Sequence, residues 1–322
     1  MRVFRTLDEA RGRFGPAGVS IGNFDGVHLG HQALFARLKQ RCAALGATPS
    51  VLTFDPHPAR VLAPDRAPKL LSTLDARLRW IAECGVEQAM VLGFTRGFAA
   101  MEPEEFVRSV LVDAAGAHVV VVGANFHFGR RKAGTTAVLE QLGAGFGFET
   151  SVVEGVRARG RVVSSTEVRG LVEAGDVRLA GRLLGRCFSL EGAVVPGAGI
   201  GAKQTVPTLN LAPDSEVLPA PGVYVTRTAE PATGREWPSV TNLGRRPTFG
   251  GDALSIESFL LAGFDGIAPA RIRVTFQYRL RDERKFESAS ELKAQILRDA
   301  ARAAKYHARA TAILKGSISS PP

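Results

Sequence analysis

A doubly wound α/β domain followed by a small antiparallel β-barrel is the architecture this sequence predicts. The first half alternates short β-branched runs with helical patterns, which makes an open parallel sheet covered by helices. The second half carries six short segments punctuated by Gly and Pro with no helix between them, and helix returns only at the end. At 322 residues, 45% apolar and 22% charged, the chain has enough material for two cores and is neither disordered nor collagen-like.

Taken in order, Val19-Ser20-Ile21 is the first strand, leading into a helix from about Gly30 to Leu45. Ser50 to Phe54 reads as a strand, Asp75 to Cys84 as a helix and Ala89 to Phe94 as a strand. Pro103 to Ala115 is a helix with Pro in its first turn and Glu104 and Glu105 beside it. The apolar run His118 to Gly123 suits a parallel strand covered on both faces. After a helix over Glu167–Glu173, helical patterning ends near Gly185. The strands then run Phe188–Val195, Thr208–Leu211, Gly222–Thr228, Ser239–Asn242, Leu254–Leu261 and Arg271–Leu280. A last helix runs from Ser288, its cap, to about Leu314.

Forty-one Lys and Arg against 31 Asp and Glu leave a net charge of +10, which suggests an anionic partner. No basic run is interleaved with aromatics, and three Tyr and two Trp supply little stacking, which argues against nucleic acid. The cysteines, Cys42, Cys84 and Cys187, are far apart and show no Cys-x-x-Cys spacing, as expected of a reducing cytoplasm. The segment Met1 to Glu9 is no signal peptide, and the apolar stretch Val119 to Val122 is strand-sized, so no membrane association is expected.

The stretch Ser20 to His31 is the most informative. It lies where the first strand turns into the first long helix, and free N–H groups at such a helix start attract anions. His28 and His31 fall one turn apart, where two imidazoles can donate to the charge that grows on an α-phosphate under attack by another phosphate. A zinc pair or two solvated histidines are the plainer alternatives. Zinc would need further ligands, and His57, His118 and His127 are the other histidines of this half. Ser164, Ser165, Thr166 and Arg169 offer hydroxyls and a guanidinium fork at a helix start, suited to β- and γ-phosphates or to plain capping. Asn125 ends a buried strand where α/β sheets place ligands, and Pro56 and Pro58 stiffen another strand end.

In the second half, the Gly-rich loop Gly197 to Gly201 could cradle phosphates or simply turn the chain. Thr208 and Asn210 offer hard oxygen ligands to Mg²⁺ or are plain residues of a strand. Glu257 alternates with Ile256 and Phe259 on a strand, where it is either a general base or a solvent-facing residue.

Gly22-Asn-Phe-Asp-Gly-Val-His28-Leu-Gly-His31 resembles the nucleotidyltransferase signature of prokaryotic bifunctional riboflavin kinase/FMN adenylyltransferases. Leu52-Thr-Phe-Asp-Pro-His-Pro58, Val122-Gly-Ala-Asn-Phe-His-Phe-Gly129 and Ser164-Ser-Thr-Glu-Val-Arg169 narrow the likeness to flavin. Pro207-Thr-Leu-Asn210, Asn242 to Phe249 and Arg279 to Phe286 extend it through the second half. The resemblance implies an adenylyltransferase domain at 1–182 and a riboflavin kinase barrel at 183–314; the end of the chain, 315–322, is expected to be a disordered tail. Riboflavin and ATP would give FMN in the barrel, and FMN and ATP would give FAD and pyrophosphate in the first domain, both with Mg²⁺.

His28 and His31 would then catalyse adenylyl transfer and Glu257 act as base for phosphorylation. Nucleotide would be held by Gly22, Asn23, Phe24, Asp25, Gly30, Ser164, Ser165, Thr166 and Arg169, and in the barrel by Gly201 and Lys203. Flavin would meet Asn125, Pro56, Pro58, Arg279 and Arg281, and the metal Thr208 and Asn210. The expected partners are these small molecules, and a weak homo-oligomer is compatible with the reading. Two departures stand out: Gly201-Ala202-Lys203 replaces the family's Gly-Arg, and its Leu-Tyr-Gly is missing after Phe264-Asp265-Gly266. They make an adenylyltransferase with a weak or inactive kinase module the alternative.

Overall fold

Runs of apolar residues with no polar face can form strands only where both sides of a sheet are covered, and the first unit is built that way. The computed structural model describes residues 1–196, 207–248, 251–262 and 267–318, and the chain divides into two compact units, Met1–Ser165 and Thr166–Pro322.

In the first unit the order is β1 (Arg2–Phe4), α1 (Leu7–Ala10), β2 (Ala17–Ile21), α2 (Leu29–Leu45), β3 (Thr48–Phe54), α3 (Pro58–Leu62), α4 (Leu74–Glu83), β4 (Gln88–Leu92) and α5 (Arg96–Ala99). Next come α6 (Pro103–Phe106), β5 (Ala117–Gly123), α7 (Thr136–Phe146), β6 (Glu149–Val153) and a small hairpin, β7 (Arg157–Ala158) with β8 (Arg161–Val162). The helix expected over Pro103 to Ala115 is regular for one turn and continues as a π-helical stretch, Val107–Ala114, which buries Val107, Val110, Leu111 and Ala114.

The six larger strands are all parallel and ordered β1-β4-β3-β2-β5-β6. Strand order reverses between β2 and β5, and open α/β sheets bind ligands outside the carboxyl ends of the strands at that switch point. Every residue of β2 is buried. α2 covers it with Phe35, Leu38 and Cys42, three or four residues apart, and stops at the left-handed Gly46.

The second unit begins with α8 (Ser165–Glu173), whose first residue is the last of the first unit, and α9 (Val177–Leu184). It continues with β9 (Ser189–Val195), β10 (Thr208–Pro213), β11 (Gly222–Ala229), β12 (Glu236–Thr248), β13 (Gly251–Leu260) and β14 (Arg271–Arg281). These six strands close an antiparallel barrel in the order β10-β13-β12-β11-β14-β9. α10 (Ala289–Ile318) follows, running past the stop expected at Leu314 and four residues into the stretch expected to be a disordered tail, because extending an existing helix needs no new nucleus.

Alternation along β11 sends Val223 and Val225 to a cluster with Val240, Leu280 and Ala303 of α10, while Tyr224, Thr226 and Thr228 face the other way. On that face Thr226 bonds Ser239 and Thr241 at 2.8 and 2.7 Å, and Thr228 bonds Ser258 at 2.5 Å, so the buried hydroxyls satisfy one another. Among the described residues, no helix is long and apolar enough to cross a membrane.

Candidate functional site

Two loops meet the switch point of the first sheet: 22–28 after β2 and 124–129 after β5. The first is strained, because Phe24 and Val27 hold φ of 50° and 41° with both side chains buried. A non-glycine residue in the left-handed region costs of order 1–3 kcal/mol and persists only where its surroundings enforce it. The surroundings here are explicit. The Asp25 carboxylate accepts from Leu71 N and from Ser72 N and Oγ, each at 3.1 Å, and Ser72 Oγ accepts from Gly26 N. Arg77 of α4 donates to the Asn23 carbonyl at 2.7 Å.

This loop delivers His28 as the N-cap of α2. Its Nδ1 accepts from His31 N at 3.4 Å, so a neutral His28 carries its proton on Nε2, turned away from the helix. The two imidazoles stack with centroids 3.7 Å apart and planes 17° apart, and Phe24 meets His31 edge-on at 5.3 Å. Gly30 has a use the sequence did not suggest. A Cβ there would come within 3.1 Å of the His28 ring, so the missing side chain gives room to the imidazole.

Gly22 N donates to Leu52 O, tying the end of β2 to β3. Ser165 opens α8 directly after Ser164 and donates to the Asp25 carbonyl at 2.9 Å; Thr166 and Arg169 follow on α8. Asn125 is exposed in the turn after β5, and its carbonyl lies 3.0 Å from His127 Nδ1. Pro56 lies between β3 and α3, and Pro58 starts α3 behind the His57 cap. Around the same strand ends runs a chain of rings, Phe54, Phe94, Phe98, Phe106, Phe128 and Phe126, with successive centroids 5.3 to 6.0 Å apart.

In the barrel, register makes the site. Asn210 of β10 lies opposite Glu257 of β13, which lies opposite Asn242 of β12. Residues directly opposite share a face of the sheet, so these three form one row, with Thr208 two residues along from Asn210. All four are half-buried, and Ser255 Oγ donates to the Glu257 carboxylate at 2.7 Å. Glu283 lies where a Cβ on Gly244 would be, close to the Asn242 amide. Gly201 and Lys203 fall outside the described residues.

A family model described as FAD synthetase matches residues 13–167, and one described as riboflavin kinase matches 184–307. A bifunctional riboflavin kinase/FMN adenylyltransferase from Pseudomonas fluorescens is 36% identical over 304 residues, covering 94% of this chain and 97% of that one. The protein of that name from Escherichia coli K12 is 35% identical over 281 residues, covering 87% and 90%. The chain belongs to the bifunctional riboflavin kinase/FMN adenylyltransferase family. A crystal structure described as a macrolide-efflux protein from Streptococcus pneumoniae shares its fold with a TM-score of 0.82 at 28% identity, over 93% of this chain and 97% of that one.

Within this riboflavin kinase/FMN adenylyltransferase fold, two expected flavin residues are engaged by the protein itself. Arg281 grips the buried Asp299 of α10 with Nε and a terminal nitrogen at 2.9 and 2.8 Å. Arg279 donates to Pro221 O at 2.5 Å, pairs with Asp282 and crosses the Tyr224 ring. Burial pushes the Tyr224 phenol up to about 12, and its hydroxyl donates to Ala220 O. A role for Arg279 and Arg281 in binding flavin thus rests on the resemblance alone. Asn242, Arg77 and the phenylalanine chain were not singled out by sequence.

Proposed function

We propose that this chain makes FMN and then FAD at two separate sites: adenylyl transfer at the His28–His31 pair and riboflavin phosphorylation at the Asn210–Glu257–Asn242 row. The stacked histidines at the start of α2, with His28 as its cap, carry the first assignment. The phosphate of FMN attacks the α-phosphate of ATP, a bond forms to that phosphorus, and the bond to the departing pyrophosphate breaks. His28 through Nε2–H and His31 beside it donate to the charge that grows there, aided by the N-terminus of α2. Ser164 and Ser165 hold the outer phosphates. The phenylalanine chain with Asn125, Pro56 and Pro58 walls the flavin.

In the barrel, Glu257 accepts the proton of the ribityl 5′-hydroxyl as that oxygen attacks the γ-phosphate and ADP leaves. A carbonyl and a hydroxyl on one strand face are hard oxygen donors, so Thr208 and Asn210 fit a Mg²⁺ ion, whose contribution is to neutralise charge on the ATP phosphates. We draw the division between the activities at Arg182, a reading supported by family matches that end at 167 and begin at 184. Weak self-association, no nucleic-acid partner and a cytoplasmic location belong to the same proposal.

The test is incubation of the protein with riboflavin, ATP and Mg²⁺ and separation of the flavins by chromatography. FMN and then FAD are expected; failure to make FAD from supplied FMN overturns the first assignment. FAD made from FMN with none made from riboflavin selects the second reading, an adenylyltransferase with an impaired kinase module, which the Gly201-Ala202-Lys203 departure favours.

A further inference from the structure

Beneath the strained loop lies a charge that the chemistry above does not use. Arg77 of α4 is 2% exposed, and one terminal nitrogen donates to Asn23 O at 2.7 Å and reaches Thr53 Oγ1 of β3 at 3.4 Å. Its Nε has no hydrogen-bond partner. Burial holds the guanidinium below its ordinary range, while Asp25 and Asp55 push it back up. A buried guanidinium with an unmet donor is a poor way to hold a helix on a sheet, since an apolar side chain of similar volume serves as well or better.

What an apolar side chain cannot do is orient a peptide. The 23–24 bond is trans, so its N–H points opposite to its carbonyl. Holding the Asn23 carbonyl toward α4 therefore turns the Phe24 N–H away from α4, at the residue where φ becomes positive and four residues before His28. We propose that Arg77 is a positioning residue for adenylyl transfer: its grip on Asn23 O orients the 23–24 peptide and sets the turn that places His28 at the start of α2. This inference rests on reading the first unit as the adenylyltransferase.

The riboflavin phosphorylation site in the same chain supplies an internal control. In Arg77→Met the side-chain volume is kept and the donor removed. The variant is expected to lower kcat for FAD formation from FMN about 100-fold with KM for ATP little changed, because a misplaced group costs most in the transition state. Its thermal midpoint and its riboflavin phosphorylation should match the parent. Arg77→Lys, which keeps one donor on a long stem, is expected to recover FAD formation to within about tenfold of the parent.

Parental kcat in Arg77→Met overturns the proposal. So does a loss of FAD formation matched by loss of phosphorylation or of the thermal transition, and so does Arg77→Lys no better than Arg77→Met. If Arg77→Met fails to fold, Arg77→Leu, which also removes the donor, decides in its place: a fall in FAD formation confined to kcat supports the proposal, and parental kcat overturns it. Failure of the unsubstituted protein to make FAD from FMN would instead overturn the adenylyltransferase reading itself.

Discussion

The two sites assemble their chemistry in opposite ways. In the first unit the side chains proposed to act are three residues apart at the start of one helix, which His28 caps, and a loop held against its own preference puts them there. In the barrel they come from β10, β12 and β13 and meet only because antiparallel register sets Asn210, Glu257 and Asn242 side by side. A helix terminus supplies oriented donors for a developing anion, whereas adjacent strands supply a flat row of separate groups. The first arrangement suits a reaction whose nucleophile is already charged. The second suits one that must bring together a base, a metal and an alcohol.

Substitutions can break this contrast. Glu257→Gln should have the largest effect, lowering riboflavin phosphorylation by about 10² to 10⁴-fold, since a general base contributes that much; FAD formation from supplied FMN should not change. An equal loss at both sites would end the two-site account. His31→Ala should do the converse, lowering FAD formation about 10² to 10³-fold, the scale of losing one donor to a developing anion. His28→Ala should add a loss of about 1 kcal/mol in stability of the first unit, because His28 also caps α2.

Structural contributions come next. Asp299→Asn weakens the grip of Arg281 on α10, and with Arg281 partly in solvent the expected cost is about 2 kcal/mol. The check is urea inactivation: phosphorylation should be lost at lower urea than in the parent, with FAD formation unmoved.

The smallest effect is one of pH. Burial lowers the pKa of His307 on α10, against the raising influence of the Ser239 and Thr226 backbones and alongside the lowering influence of Arg227. The folded state therefore favours neutral His307, while the unfolded chain takes up a proton as pH falls below about 6.5. This contribution to stability is present above that pH and is lost as pH drops through the folded value. Thermal unfolding of the second unit between pH 7 and 5 should decline less in His307→Phe than in the parent.

Sequence exposed the first site better than the second for the same reason. Gly-x-x-Asp-Gly spacing and a His-x-x-His pair are local facts, and so were β2, α2 and the strand count of the barrel. Register is a property of pairing, so Glu257 could be singled out while its neighbour Asn242 could not. Arg77 sits in Leu74-Asp-Ala-Arg-Leu-Arg-Trp80, where two arginines look equally suited to solvent; only the fold buries one. β1 is three residues long, too short for a periodic signal, and Glu149–Val153 begins with polar residues. Arg281 looked available until Asp299, 18 residues on, claimed it.

Barrel closure has a consequence for how the chain is made. All six strands of the parallel sheet have been synthesised once Val153 is in place, and its core needs nothing from later residues. The barrel is different, because β9, its first strand, pairs with β14, its last, so no closed form exists before Arg271–Arg281 has emerged. On the ribosome the sheet can thus mature while the barrel strands are still being added. A nascent chain stalled before β14 would hold a finished parallel-sheet unit and an open, unpaired set of strands, the form of this protein most exposed to aggregation and most dependent on chaperones.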